Sequence, residues 1–363
     1  MAKFDDVLKD CTKLGTKIQT SEYLKSGKYP IIDQGQDSVA GYYNSKIGLF
    51  EDVPAIIFGD HTRIVKYIDE PCFLGADGAK LLCPVSKNTN CKYLFYQLAC
   101  ADIPNTGYNR HFKWVKALEF KIPPLEEQNH IVDVLDKISE LITLRKQQLV
   151  KLDELVKARF VELFGDIIRN DKSWPIHNFS DIASSRLGKM LDAKQQTGKY
   201  SYPYLANFNV QWFSFNVDNL NQMDFNEAEQ KEFELRDGDL LVCEGGEIGR
   251  CAVWHNEIQP CFFQKALHRV RCNRQLVQPD YLAWWFKYNC NHGGFAEIAG
   301  AKATIAHLPG IKLKQLQVAL PPLSLQNQFA DFVERVNQQK QTTQQSLEKM
   351  ELMKKALMQE YFG

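Results

Sequence analysis

Apolar side chains return at alternating steps of four and three along one stretch of this chain: Ile131, Leu135, Ile138, Ile142, Leu149, Leu152, Val156 and Leu163. Arg145 and Arg159 take the remaining slots of the stripe. About 40 residues here carry no Gly or Pro and are rich in Leu, Glu, Lys and Gln, so the pattern predicts one long helix with a coiled-coil seam. At ~1.5 Å per residue such a helix extends roughly 60 Å. Pro123-Pro124 marks its start and Gly165 its stop.

The stripe occurs twice. Residues 321–363 align with residues 123–165 without a gap, Pro-Pro-Leu on Pro-Pro-Leu, Gln128 on Gln326, Asn129 on Asn327, and Phe-Gly on Phe-Gly at the end. The second copy keeps Phe329, Val333, Val336, Leu347, Met350, Leu357 and Tyr361, with Lys340, Thr343 and Lys354 in its polar slots. Neither helix can bury such a stripe alone, so the simplest expectation is that the two pack against each other, antiparallel, within one chain. A homodimer seam or two ordinary helical hairpins are the alternatives.

A globular segment stands before each Pro-Pro-Leu. The expected organisation is a first globule over 1–122, a central helix over 123–165, a second globule over 166–320 and a C-terminal helix over 321–363. The globules begin alike, Phe4-Asp5-Asp6-Val7 beside Phe179-Ser180-Asp181-Ile182, and carry Tyr93-Leu94-Phe95-Tyr96 and Tyr281-Leu282-Ala283-Trp284 at matching places. Short apolar runs punctuated by turn signals, as in Arg236-Asp237-Gly238-Asp239-Leu240-Leu241-Val242, point to twisted β structure with a few helices. The fold class is therefore α+β, a tandem pseudo-two-fold repeat of two mixed globules and two long helices.

Composition narrows the class. Of 363 residues 44% are apolar and 24% charged, which fits a globular protein. No run approaches the roughly 18 apolar residues of a membrane span, and the start lacks the apolar core of a secretory signal, so the expected location is the cytoplasm. The ten cysteines form no C-x2-C pair, and several sit in apolar runs, so buried reduced thiols are expected and no metal site. Lys plus Arg and Asp plus Glu are equal at 44 each. That balance argues against a lone, non-specific nucleic-acid binder.

The paired Pro-Pro-Leu-x-x-Gln openings at 123–128 and 321–326, with the Phe-Gly closures at 164–165 and 362–363, resemble the specificity subunits of Type I restriction-modification systems. The likeness covers essentially the whole chain. Ile57-Phe58-Gly59-Asp60-His61-Thr62-Arg63, Gly75-Ala76-Asp77-Gly78 and Cys243-Glu244-Gly245-Gly246-Glu247-Ile248-Gly249-Arg250 are similar to segments of such target-recognition domains. The resemblance implies that each globule reads one half of a split DNA target, with the helices setting the gap between. It implies docking of two adenine-methyltransferase subunits, which hold the S-adenosylmethionine, and of motor and nuclease subunits for cleavage. No cofactor is expected on this chain. The second copy departs from the pattern in one place, with Ser-Leu before Gln326 where an acidic residue is usual.

Candidate DNA contacts follow from residue chemistry. Asn105, Thr106, Tyr108, Asn109, Arg110 and Lys113 surround a Gly turn, where Asn suits adenine, Arg guanine and Lys phosphate. An ordinary polar loop is the alternative. Lys302 and Thr304 hold the matching place in the second globule. Asp60, His61, Thr62 and Arg63 form a second candidate loop, with a structural turn as its rival. Gly245, Gly246 and Arg250 lie in a Gly-rich segment without the Gly-Lys-Ser/Thr ending of a phosphate loop. Downstream, Lys265, Arg269 and Arg271 are expected on one face of a strand and Gln264 and His268 on the other, as a DNA surface or as a solvated edge.

Nothing assembles an active site. The Asn-Pro-Pro-aromatic motif of adenine methyltransferases and a Walker-type loop are absent, and Glu119-Phe120-Lys121 matches the nuclease E-x-K fragment only as any common triplet would. The chain is expected to be non-catalytic. Two rival roles stay open: a specificity chain of another restriction or methylase class, and a structural adaptor carrying two protein-binding globules.

Overall fold

The computed structural model describes residues 1–75, 78–192, 196–295 and 307–363. The chain divides into two compact units, one of Met1–Gln148 with Thr343–Gly363 and the other of Leu149–Thr342. These units cut through both long helices, so each unit owns a stretch of each.

In the first unit, β1 (Ala2–Lys3), α1 (Phe4–Val7) and β2 (Leu8–Asp10) lead into β3 (Tyr29–Ile32), β4 (Gly41–Tyr43), β5 (Ala55–Gly59), β6 (Val65–Ile68), β7 (Phe73–Leu74) and β8 (Ala79–Pro84). One sheet runs β2-β8-β5-β6, all antiparallel, and a smaller one runs β4-β3-β7 with its second pair parallel. Every residue of β5 is buried, as a central strand of Ala, Ile, Ile, Phe and Gly demands. The helices α2 (Cys91–Cys100) and α3 (Phe112–Lys116) and strand β9 (Glu119–Phe120) then bring the chain to α4 (Leu125–Phe164).

The second unit repeats this plan. It comprises β10 (Ile176–Asn178), α5 (Phe179–Ile182), β11 (Ala183–Leu187), β12 (Ser201–Leu205), the hairpin β13 (Val210–Gln211) and β14 (Ser214–Phe215), and β15 (Asn221–Asp224). There follow α6 (Glu227–Phe233), β16 (Leu240–Cys243), β17 (Cys251–Val253), β18 (Phe262–Phe263) and β19 (Leu267–Cys272). Last come α7 (Pro279–Asn291), α8 (Gly310–Lys314), β20 (Gln317–Ala319) and α9 (Leu323–Phe362). Its sheets run β11-β19-β16-β17 and β15-β12-β18, strand for strand the arrangement of the first unit, with β12 and β18 again parallel.

The repeated sequence motif has a direct physical meaning. Gln128 is buried; its Oε1 accepts from Asn90 N at 2.9 Å and its Nε2 donates to Pro123 O at 2.7 Å. Asn129 Oδ1 accepts from Asn90 Nδ2 at 2.8 Å. Asn90 is the N-cap of α2, so the opening of α4 grips the start of its globule's helix. In the second unit Gln326 Oε1 accepts from Gln278 N at 2.9 Å, its Nε2 donates to Pro321 O at 2.7 Å, and Asn327 Oδ1 accepts from Gln278 Nε2 at 2.6 Å. Gln278 is the N-cap of α7. Three residues beyond each N-cap, Tyr93 donates to Lys121 O at 3.1 Å and Tyr281 to Ala319 O at 2.5 Å, the same step before each Pro-Pro.

The Phe-Gly endings serve the opposite repeat. Phe362, closing α9, meets Tyr93 edge-on at 5.3 Å in the first unit, and Phe164, closing α4, meets Tyr281 edge-on at 4.8 Å in the second. Within each unit the two helix stretches run antiparallel. Ile131 and Leu135 pack among Leu357, Met358 and Tyr361, and Leu152, Val156 and Phe160 among Phe329, Val333 and Val336. Ile138, Ile142 and Leu347 are buried too, whereas Leu149, Met350 and Leu357 are half-buried. The polar slots find partners in kind: Arg145 donates to Gln148, Lys340 pairs with Asp153 at 2.6 Å, and Lys354 lies over the Tyr96 ring.

All ten cysteines are free thiols, and burial pushes Cys72, Cys91 and Cys272 up to about 12. Among the described residues no helix is long and apolar enough to cross a membrane, and no cluster of side chains fits a metal ion.

Candidate nucleic-acid interface

Each unit gathers three or four loops at one end of its sheets. In the first, β5 runs out into Asp60, whose N–H donates to Gly78 O at 2.7 Å. The carbonyl of Asp60 accepts from His111 N at 2.8 Å and from His111 Nδ1 at 2.9 Å. With Nδ1 donating, Nε2 is left to accept from Thr106 N at 3.3 Å. His111 is fully buried, a post that ties the 105–110 loop to the 60–63 turn. Gln34, just past β3, closes the group: its Oε1 accepts from His61 N at 3.1 Å and its carbonyl from Thr62 Oγ1 at 2.7 Å.

The predicted loops therefore meet. His61 Nδ1 lies 3.2 Å from Asn109 O, and its ring stacks on Tyr108 at 4.6 Å. Tyr108 is 87% exposed, beside Gly107 at φ +78 with open space around its Cα. Asn105, Thr106, Asn109, Arg110 and Lys113 are exposed, and Lys113 rests over the Trp114 ring at 5.2 Å. Arg110 has no hydrogen-bond or ion-pair partner among the described residues.

Two expectations for this turn need correction. Asp60 is 3% exposed and its Oδ1 accepts from Phe112 N at 2.8 Å, so it caps α3 from inside and offers nothing to a ligand. Arg63 sits at φ 62 with Nη1 donating to Ile103 O at 3.0 Å, which turns its guanidinium onto the protein backbone.

The second unit builds the same end from different residues. Glu244 N donates to Ala266 O at 2.9 Å and Glu244 O accepts from Leu308 N at 2.6 Å, as Asp60 does with Gly78 and His111. Asn207, just past β12, takes the place of Gln34, with Nδ2 donating to Gly245 O at 2.9 Å. Arg250 Nη2 donates to Asn207 O at 3.0 Å and also to its Oδ1. Ala266 adopts φ +105 where its counterpart Gly78 has +91, a conformation that strains a residue bearing Cβ.

Here too the expectations are partly overturned. Arg250 is engaged with Asn207 and acts as a brace, not a free reader. Gly245 is buried, and only Gly246 of the glycine pair is exposed. Lys265 is exposed but lies in the turn before β19, so it shares no strand face with Arg269 and Arg271. Arg269 is buried over the Phe263 ring with Nη1 donating to Glu232 O at 2.6 Å, and burial lowers it to about 10. Arg271 grips Asp239 through Nε at 2.7 Å and Nη2 at 3.0 Å. His268 is buried on Leu308 O, and Gln264 is half-buried in the turn. Lys302 and Thr304 lie outside the described residues.

Gln34, His111 and Asn207 carried no periodic signal. What marks them is tertiary: polar side chains that join segments distant in sequence.

A family model described as the Type I restriction modification DNA specificity domain matches residues 2–154 and again 171–352. The chain is similar to a putative type I restriction enzyme specificity subunit of Haemophilus influenzae, 24% identical over 258 residues, covering 68% of this chain and 64% of that one. It is also similar to the putative type I restriction enzyme MjaX specificity subunit of Methanocaldococcus jannaschii, 23% identical over 195 residues, covering 53% and 46%. The aligned part thus spans less than two thirds of either relative. In fold it resembles the crystal structure of a Type-I restriction-modification system S subunit from M. genitalium, with TM-score 0.62 and 14% identity over 99% of this chain and 95% of that one.

Proposed function

This chain belongs to the Type I restriction modification DNA specificity domain family, and from that premise we propose that it is the non-catalytic, sequence-reading subunit of a Type I restriction-modification complex. Each unit reads one half of a bipartite DNA target through its loop-bearing end. Adenine-methyltransferase subunits dock on the chain and bring S-adenosylmethionine, and motor and nuclease subunits complete the cleaving assembly in the cytoplasm. The observation that carries this reading is the doubling: two units of one sheet topology, each ending in the same braced cluster of polar loops, with unlike side chains at the tips. Two similar frames with dissimilar tips suit two different half-sites.

The neutral charge balance fits a subunit whose partners supply much of the phosphate contact. Footprinting the complex of this chain with its methyltransferase partner tests the reading. A split, sequence-dependent footprint is expected, and protection that is absent or indifferent to sequence overturns it in favour of an adaptor. A second test concerns the helices. Adding one turn to both α4 and α9 is expected to change the gap between half-sites and leave each half unaltered.

A further inference from the structure

The excursion from Leu205 to Phe215 in the second unit is held unusually firmly. Asn209 is buried, accepting from Ala206 N at 2.9 Å and donating to Asn216 O at 2.9 Å. Asn207 is fixed between Gly245 and Arg250, as described above. At the far end Trp212 donates to Glu247 Oε1 at 2.7 Å under the Lys287 ammonium, and Phe213 stacks on Trp284 at 4.5 Å. Leu205, Ala206 and Val210 are fully covered.

Phe208 is the most exposed apolar residue of the excursion. It lies in the short turn Asn207–Asn209, 62% exposed, between two asparagines whose side chains are both committed to holding the turn. Gln211 Nε2 donates to its carbonyl at 3.0 Å, so the backbone beneath the ring is fixed from both sides. A large ring held in water on an immobilised backbone gains nothing for the fold; its ordering has already been completed before any ligand arrives. Its neighbour Asn207 holds the Gly245 carbonyl, one residue before exposed Gly246, where the missing side chain leaves room for a duplex to approach. The first unit offers a parallel, with exposed Tyr108 propped on His61 at the equivalent end.

We infer that Phe208 is a specificity-determining residue, making an apolar contact with the C5-methyl group of a thymine in the half-site read by the second unit. The inference rests on the DNA-reading role proposed above. Phe is one of the side chains suited to that methyl, and a ring carries no hydrogen bond that would tie it to another base.

The test uses the chain with its methyltransferase partner and duplexes of the complex's own target, found by methylome sequencing. Each thymine of the second half-site is replaced in turn by uracil, which removes only the methyl. The wild-type complex is expected to lose about four-fold in affinity at one position. Phe208→Ala is expected to bind about tenfold more weakly, to be indifferent to uracil at that position, and to keep the thermal midpoint of the parent. Phe208→Leu should retain part of the uracil response. Equal responses to uracil in wild type and Phe208→Ala, a uniform loss over all DNA, or a loss of partner binding in place of base preference each overturn the inference. Absence of any sequence preference in the wild-type complex sinks the DNA-reading role itself.

Discussion

Gln326 is fully buried and binds three backbone groups: Gln278 N, Leu276 O and Pro321 O all end on its amide. Gln326→Ala leaves these groups without partners away from water, and a loss of about 2–3 kcal/mol is expected in denaturant unfolding of the second unit. Ala266→Gly should act in the other direction, since glycine takes φ +105 without strain; a gain of about 1 kcal/mol is expected in the same measurement. His268 brings a pH dependence. Burial lowers its pKa, so the fold keeps it neutral while the unfolded chain takes up a proton as pH falls through the ordinary imidazole range. Its contribution is full above that range and is lost below it. Melting should therefore come at lower temperature at pH about 5.5 than at about 7.5, and His268→Gln should reduce the difference. At this scale the sequence was partly readable. Asn109, Arg110 and Tyr108 announce an exposed loop by their Gly turn. Asp60 and Arg250 mislead, because their partners at Phe112 and Asn207 stand far along the chain and no local spacing shows them.

The two long helices were legible to within a residue or two, since one burial pattern repeats over many turns and helix bonding is local. The strands were not. Several have two or three residues, and pairs such as β12 with β18 join segments separated by a hairpin, a helix and three further strands, so register is set by non-local contacts. The helices also carry a graded test of the seam. Leu135 is fully buried between the stretches, and Leu135→Ala should lower the stability of the first unit by about 3 kcal/mol. Leu141, 46% exposed on the same helix, should change it by less than about 0.5 kcal/mol when made Ala. Equal effects at the two sites in thermal unfolding would contradict the packing described.

In each unit the last turn of a helix from one repeat closes the globule of the other, Phe362 on Tyr93 and Phe164 on Tyr281. A single repeat therefore lacks its own lid and carries one for a neighbour. Residues 166–363 expressed alone are expected to associate as a pair, each copy's Phe362 covering the other's Tyr281, and sedimentation showing a folded monomer would refute this. The same arrangement bears on how such a molecule changes over generations. The amide pair, the tyrosine and the Phe-Gly end act as a standard fitting, gripping the first turn of one helix and the backbone just before the Pro-Pro of whatever globule they hold. Everything beyond that turn works as an exchangeable cartridge, so a foreign globule bearing the same fitting can be spliced in and a new recognition pairing acquired in one recombination, with the frame unchanged.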